Sequence, residues 1–212
     1  MSVDTVDIVK DIVDSMAVKI DVDEISTNGD GTFDATTCNT YHLTRRSYVT
    51  ISGTKYKVKQ VDQDASITLS KVVQSDPDPS GSSFTLASPF YIHGTIISAK
   101  TELDDIIYPG VKYPMVYLYE IYRERIIPDK TKPVSIESKA RIFFMDQTDP
   151  ENYTHSDQYT NVVRPMRSLV STFIKKVESS RVFERLEDDI EIIPWVNFGK
   201  FETDRGTTRA LF

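Results

Sequence analysis

The chain has 212 residues, 39% of them hydrophobic and 27% charged, a balance that fits one large or two small folded domains and excludes wholesale disorder. Lys and Arg total 25 against 32 Asp and Glu, so the formal net charge is −7, the wrong sign for a protein that wraps nucleic acid. No run of about 18 apolar residues is present to cross a membrane. One cysteine, Cys38, and three histidines exclude an internal disulfide and any cysteine-rich metal site. The opening residues carry Asp4, Asp7, Asp11 and Asp14 and lack the basic-then-apolar layout of a secretory leader.

In chain order, Ser2 or Asp4 can cap a helix in which Val6, Val9, Ile12, Val13 and Met16 recur at helical spacing. Asp7, Asp11 and Asp14 fall off that stripe, toward water, and early acids complement the positive end of the helix dipole. Residues 17–22 alternate and predict a strand. From about Glu24 to Ala99, Thr, Ser and Gly become frequent and the apolar period shifts to two. Asn28–Gly29–Asp30–Gly31 predicts a turn. Residues 48–51 and 56–61 flank Ser52–Gly53–Thr54 and predict a hairpin, and 65–73 a further strand. A Pro- and Asp-rich loop over 75–81 precedes short strands at 84–86 and 90–93. About five short strands with tight turns predict a small barrel or sandwich.

After Ala99 the first texture returns. Residues 100–107 suit a short helix, 115–122 a long strand apolar on both faces, and 136–144 a half-exposed strand of period two. Residues 146–158 are polar and read as a loop. Met166, Leu169, Val170, Phe173, Ile174 and Val177 form one apolar stripe, so a helix follows, with Asn161 before it and Pro165 suited to its first turn. Residues 190–195 suit a last strand, and the tail to Phe212 keeps Phe198, Phe201, Leu211 and Phe212 for docking.

These elements predict an α+β protein: a small antiparallel sheet with two helices on one face, formed by 1–24 and 99–212. Into it a small all-β barrel or sandwich is inserted over 25–98.

Catalytic and metal chemistry find little support. Ser26, Asn28, Asp30, Thr32 and Asp34 partly follow a calcium loop, but Ser26 stands where its first acid belongs and Thr37 where its bidentate Glu belongs. A plain hairpin turn is preferred. No G-x-S-x-G elbow occurs, and Cys38 and His42 lie only four residues apart beside Arg45 and Arg46, better read as a buried or incidental cysteine. His42, His93 and His155 sit on separate segments, and His93 reads as a structural histidine ending a strand. The acid pairs Asp104–Asp105, Asp146 with Asp149, and Asp188–Asp189 suit a solvated rim better than a glycosidase cleft. Neither G-x-G-x-x-G nor G-x-x-x-x-G-K occurs. No catalytic residue, cofactor or metal is assigned, and the chain is expected not to be an enzyme.

One positive feature is Tyr108, Tyr113, Tyr117, Tyr119 and Tyr122, crowded beside Met115, Arg123 and Arg125. Tyr, Met and Arg are enriched at protein interfaces. Tyr113, Met115, Tyr117, Tyr119 and Ile121 are therefore candidate subunit-interface residues, the other reading being that they line the two faces of a strand.

Several stretches resemble a family of tailed-phage virion proteins found in phages of Bacteroidetes, crAss-like ones included. They are 89–95 (PFYIHGT), 113–120 (YPMVYLYE), 141–144 (RIFF), 165–169 (PMRSL) and 198–201 (FGKF) leading to Leu211–Phe212. The family is expected to continue past such a Leu–Phe with another strand. The order of elements is also similar to tail-terminator and neck proteins, which have an α+β core and assemble as closed rings. The resemblance implies a structural virion protein at the head–tail junction, a connector or tail-completion ring of six or twelve copies, assembled in the host cytoplasm. Its partners would be itself and other neck, portal or tail proteins, with no membrane. DNA would pass through an acidic lumen that repels phosphates, without sequence-specific binding, in keeping with the charge of −7. The tyrosine-rich strand and the apolar-striped helix are the candidate ring patches, and ring closure requires two different patches to meet. The alternative is a carbohydrate- or receptor-binding module of the virion, whose sign would be exposed aromatics on the insert, where Tyr41, Tyr48 and Tyr56 stand. A hydrolase using acidic residues is the third reading.

Overall fold

The structure, a computed structural model, describes residues 4–41, 43–45, 47–105, 112–127, 135–146 and 154–180. Helix α1 (Thr5–Asp14) begins where the Asp4 carboxylate accepts from the Val6 N–H at 3.0 Å, satisfying one of the free donors at a helix start. Its Val9, Ile12 and Val13 are buried, while Asp7, Asp11 and Asp14 face water, so the sequence stripe settles both faces of the helix.

Seven short strands follow: β1 (Val18–Asp21), β2 (Glu24–Thr27), β3 (Thr32–Thr36), β4 (Tyr48–Ile51), β5 (Thr54–Asp62), β6 (Ser66–Lys71) and β7 (Ser83–Leu86). They form one sheet in the order β1-β7-β4-β5-β6-β3-β2, with every neighbour antiparallel. Strands β1 and β2 stand at opposite ends of that order, yet only Val22 and Asp23 separate them in the chain. The Val22 N–H donates to Ser82 beside β7, and the next N–H, of Asp23, donates to Thr36 on β3, each at 2.9 Å. A sheet whose two ends share one kink has to curl until they meet, which makes it barrel-like. Its interior is filled by alternate residues, among them Ile20, Phe33, Val49, Ile51, Val58, Ile67, Leu69 and Phe84. The β4–β5 turn places Ser52 at φ 50° and Gly53 at φ 85°, the twist that a two-residue hairpin demands.

Among the described residues the second sheet has three strands, β8 (Phe90–His93), β9 (Met115–Ile127) and β10 (Ser135–Met145), in the order β10-β9-β8. Helix α2 (Ile96–Asp105) lies between β8 and β9 in the chain. On one face Val116, Leu118, Ala140, Ile142 and Phe144 pack with α1 and with the last described helix. On the other, Met115, Tyr117 and Met145 pack with Ala99 and Leu103 of α2. The molecule is α+β.

Four expectations are corrected. The small sheet is not wholly antiparallel: β8 and β9 run parallel, because the α2 crossover brings the chain back in the same direction. Two helices do share one face, but α2 covers the opposite one. The sheets also divide the chain elsewhere than composition indicates, since β1 pairs with β7 while β8 pairs with β9. Texture cannot see this, because a strand's composition does not name its partner. Finally, the last helix starts ten residues early. Helix α3 (His155–Gln158), a wide π turn (Tyr159–Val163) and helix α4 (Arg164–Ser180) run on without a break. Thr154 and Asp157 form a reciprocal capping box at its start. Pro165 thus lies inside the helix, where it lacks the N–H for Asn161 and its ring would crowd that turn. The π turn, with the Arg164 N–H bonded to Tyr159, widens the backbone just ahead of it. The strand expected at 190–195 and the tail at 197–212 lie outside the described residues.

Candidate functional site

The tyrosine-rich strand is β9. Met115 is 0% and Tyr117 2% exposed, so both belong to the interior between the sheet and α2, and Tyr113 and Tyr119 pack partly buried against that cluster. Among the interface candidates, Tyr113 and Tyr119 keep some exposure, whereas packing within the chain already accounts for Met115 and Tyr117. The Ile121 backbone stands opposite Ala140. The rings of Tyr117, Tyr119 and Phe143 form a triangle with centroids 5.8–5.9 Å apart, the Tyr117–Tyr119 pair edge-on. The Tyr117 hydroxyl donates to the Gly94 carbonyl at 2.8 Å, pinning β9 to the turn between β8 and α2. Gly94 itself has φ 116°, and its N–H donates to Leu118 at 3.1 Å.

Beyond Leu118 the geometry changes. Strand β8 has four residues and pairs only with Met115–Leu118, whereas β9 has 13 and β10 has 11. Among the described residues, the rest of β9 pairs with β10 alone, a two-stranded ribbon. Two register shifts leave Tyr119 and Tyr122 without a residue opposite, and such bulges add local twist.

The ribbon's two sides differ in charge. Glu137, Lys139 and Arg141 alternate onto the same side as Phe143 and Met145, the α2 side, with Arg125 and Arg123 opposite Glu137 and Lys139 in register. Arg123, Arg125 and Arg141 are exposed, in a chain that is acidic overall. The other side carries α1. The Thr5 and Ser138 hydroxyls lie 3.2 Å apart, and Tyr91 of β8 donates its hydroxyl to the Val6 carbonyl at 3.1 Å. Burial pushes the Tyr91 phenol well above its usual range, and the carboxylates of Asp7 and Asp4 push it further. Asp4, Asp7, Asp11 and Asp14 are all exposed on α1, with Lys10 beside Asp14 at 2.6 Å. One sheet therefore shows an excess of cations on one side, where Glu137 stands among them, and an excess of carboxylates on the other, where Lys10 pairs with Asp14.

The remaining candidates resolve into structural roles. In the β2–β3 turn the Asp30 carboxylate accepts from both the hydroxyl and the N–H of Thr32, which holds its pKa below the usual carboxylate value. Asn28 donates to Thr32, and Asp34 accepts from Thr68. These oxygens serve the hairpin. Cys38 is exposed. His93 ends β8, stacked on Tyr91 at 6.2 Å. Asp146 is buried, while Asp149, Asp188 and Asp189 lie outside the described residues. Tyr56 is inside the barrel with its hydroxyl on the Pro77 carbonyl, and Tyr41 packs against the same core, so these aromatics build no exposed platform. Among the described residues no group of three His, Cys, Asp or Glu side chains is placed to hold a metal, and no helix is long and apolar enough to cross a membrane.

The two-signed ribbon was missed in the sequence. Its signal was the run Tyr122–Arg123–Glu124–Arg125 facing Glu137–Ser138–Lys139–Ala140–Arg141, legible only once the strands are paired. No family model matches this chain, and no curated protein or solved structure is found to be similar to it.

Proposed function

We propose that this chain is a structural protein of a tailed-phage virion, building a closed ring around the DNA channel at the head–tail neck as a connector or tail-completion component. The observation that carries the reading is spatial. Four of the segments that resemble the virion family are far apart in sequence, yet they fall together: 89–95 is β8 and its turn, 113–120 holds the buried half of β9, 141–144 lies in β10, and 165–169 lies on α4. A shared body is what a family resemblance scattered along a chain has to come from. The charge of −7 suits a channel through which DNA slides without being held.

In this reading the protein acts by contact, and its partners are further copies of itself and the neck, portal or tail proteins above and below. The test is the mass of the purified chain by light scattering across concentration, with electron microscopy of any assembly. Closed rings of six or twelve copies are the expected result. A 24.1 kDa monomer at every concentration, with no incorporation into purified neck complexes, overturns it.

A further inference from the structure

We propose that the Arg123–Arg125 stripe of the β9–β10 ribbon docks on the Asp7–Asp11 face of α1 in a second copy of this chain. The inference rests on the ring reading and adds to it the two patches that meet.

Three observations carry it. First, the patches are of opposite sign and lie on opposite sides of the same sheet, since α1 covers the side that carries Ser138 and the arginines share the side of Phe143. They cannot reach each other within one chain. Between copies they join head to tail, the heterologous arrangement from which rings are built.

Second, the spacings match. Asp7 and Asp11 are one helical turn apart, about 6 Å along the axis, and Arg123 and Arg125 are two strand residues apart, about 6.7 Å. Each guanidinium can meet its own carboxylate. Third, Arg123 and Arg125 are both exposed, on the part of β9 that among the described residues pairs with β10 alone.

Charge reversal tests this in the full chain. Arg123→Glu/Arg125→Glu and Asp7→Lys/Asp11→Lys are made separately, and each is checked by far-UV circular dichroism for an unchanged fold. Each variant alone is expected to sediment as a monomer, and an equimolar mixture of the two is expected to recover the wild-type assembly by alternating. Raised salt should also shrink the wild-type assembly, because exposed pairs are screened. If either variant assembles alone like wild type, the docking proposal falls while the ring reading stands. If both are monomeric but the mixture does not assemble, α1 is not the receiver and the proposal falls. In that case the acidic stretch 184–191 of the same chain is the next occupant to test. A wild-type chain that is monomeric at every concentration and does not enter purified neck complexes removes both.

Discussion

The barrel and the three-stranded layer solve the edge problem of β-structure in different ways. In the barrel-like sheet, the end strands β1 and β2 follow each other directly, and the N–H groups of Val22 and Asp23 between them donate to Ser82 and Thr36. Polar side chains finish the work at its turns, with Asp30 on Thr32 and Asp64 on Thr40. Among the described residues, the three-stranded layer has β8 and β10 as its edges, and β9 and β10 extend well past β8. It covers both faces with helices near β8 and leaves the ribbon's α2 side charged. A curled sheet with end strands of four residues offers a strand partner less than a layer with a long ribbon does. Contact with other molecules is therefore expected on the second body.

The comparison can be broken most strongly at the two cores. Leu69 in the barrel and Leu169 on α4 are each 0% exposed, and they belong to clusters with no residue in common. Either Leu→Ala change should cost about 2–5 kcal/mol. Calorimetry is expected to show Leu69→Ala lowering one transition and Leu169→Ala another. A single transition moved equally by both would mean the bodies unfold as one.

A smaller effect is expected at the β8–α2 turn. Alanine at Gly94 would have to hold φ 116° with its Cβ 2.7 Å from the Ser98 hydroxyl. Gly94→Ala should destabilise the three-stranded layer by about 2 kcal/mol, with the barrel transition unmoved. Smaller still is the loss of one hydroxyl. Tyr91→Phe removes the bond to Val6 and should cost about 1 kcal/mol near neutral pH.

That residue also makes stability depend on pH. Its phenol is raised in the folded chain, so its contribution is fully present below the unfolded tyrosine value of about 10 and is lost as pH climbs beyond it. Chemical denaturation of the wild type should weaken in alkali, and Tyr91→Phe should flatten part of that slope. Tyr56, raised by burial in the barrel, leaves the remainder. The least effect is expected at Asp64 and Arg164, which bring the two bodies together at 3.6 Å with both side chains about half exposed. Asp64→Asn should change the Arg164 contact by less than about 1 kcal/mol. A larger change would trace to the Thr40 hydroxyl that Asp64 also accepts from.

Much of the fold was legible where local chemistry decides. The α1 stripe, the Ser52–Gly53 turn, the period-two run of β10 and the apolar face of α4 depend on neighbours within a few residues. What depended on distant pairing was not legible. The parallel β8–β9 ladder follows from a crossover, and β1 joined the barrel because β7 lies 60 residues and more away. Pro165 misled for a different reason: it marks helix starts by default, and only the π turn ahead of it lets the helix pass. Of the site, the tyrosines were visible by composition, but Met115 and Tyr117 are drawn inward by α2. The charge stripe needed the register of two strands before it existed at all.

One ladder has a further consequence. Val18 and Leu86 are opposite each other in β1 and β7, so the chain passes into the barrel and out of it through a single antiparallel pair, with Cα atoms about 5 Å apart. To the rest of the protein, the whole of 18–86 occupies the place of a tight turn. Replacing that segment by a two-residue loop is therefore expected to leave α1 and β8 in place, with the second body's thermal transition retained in the shortened chain.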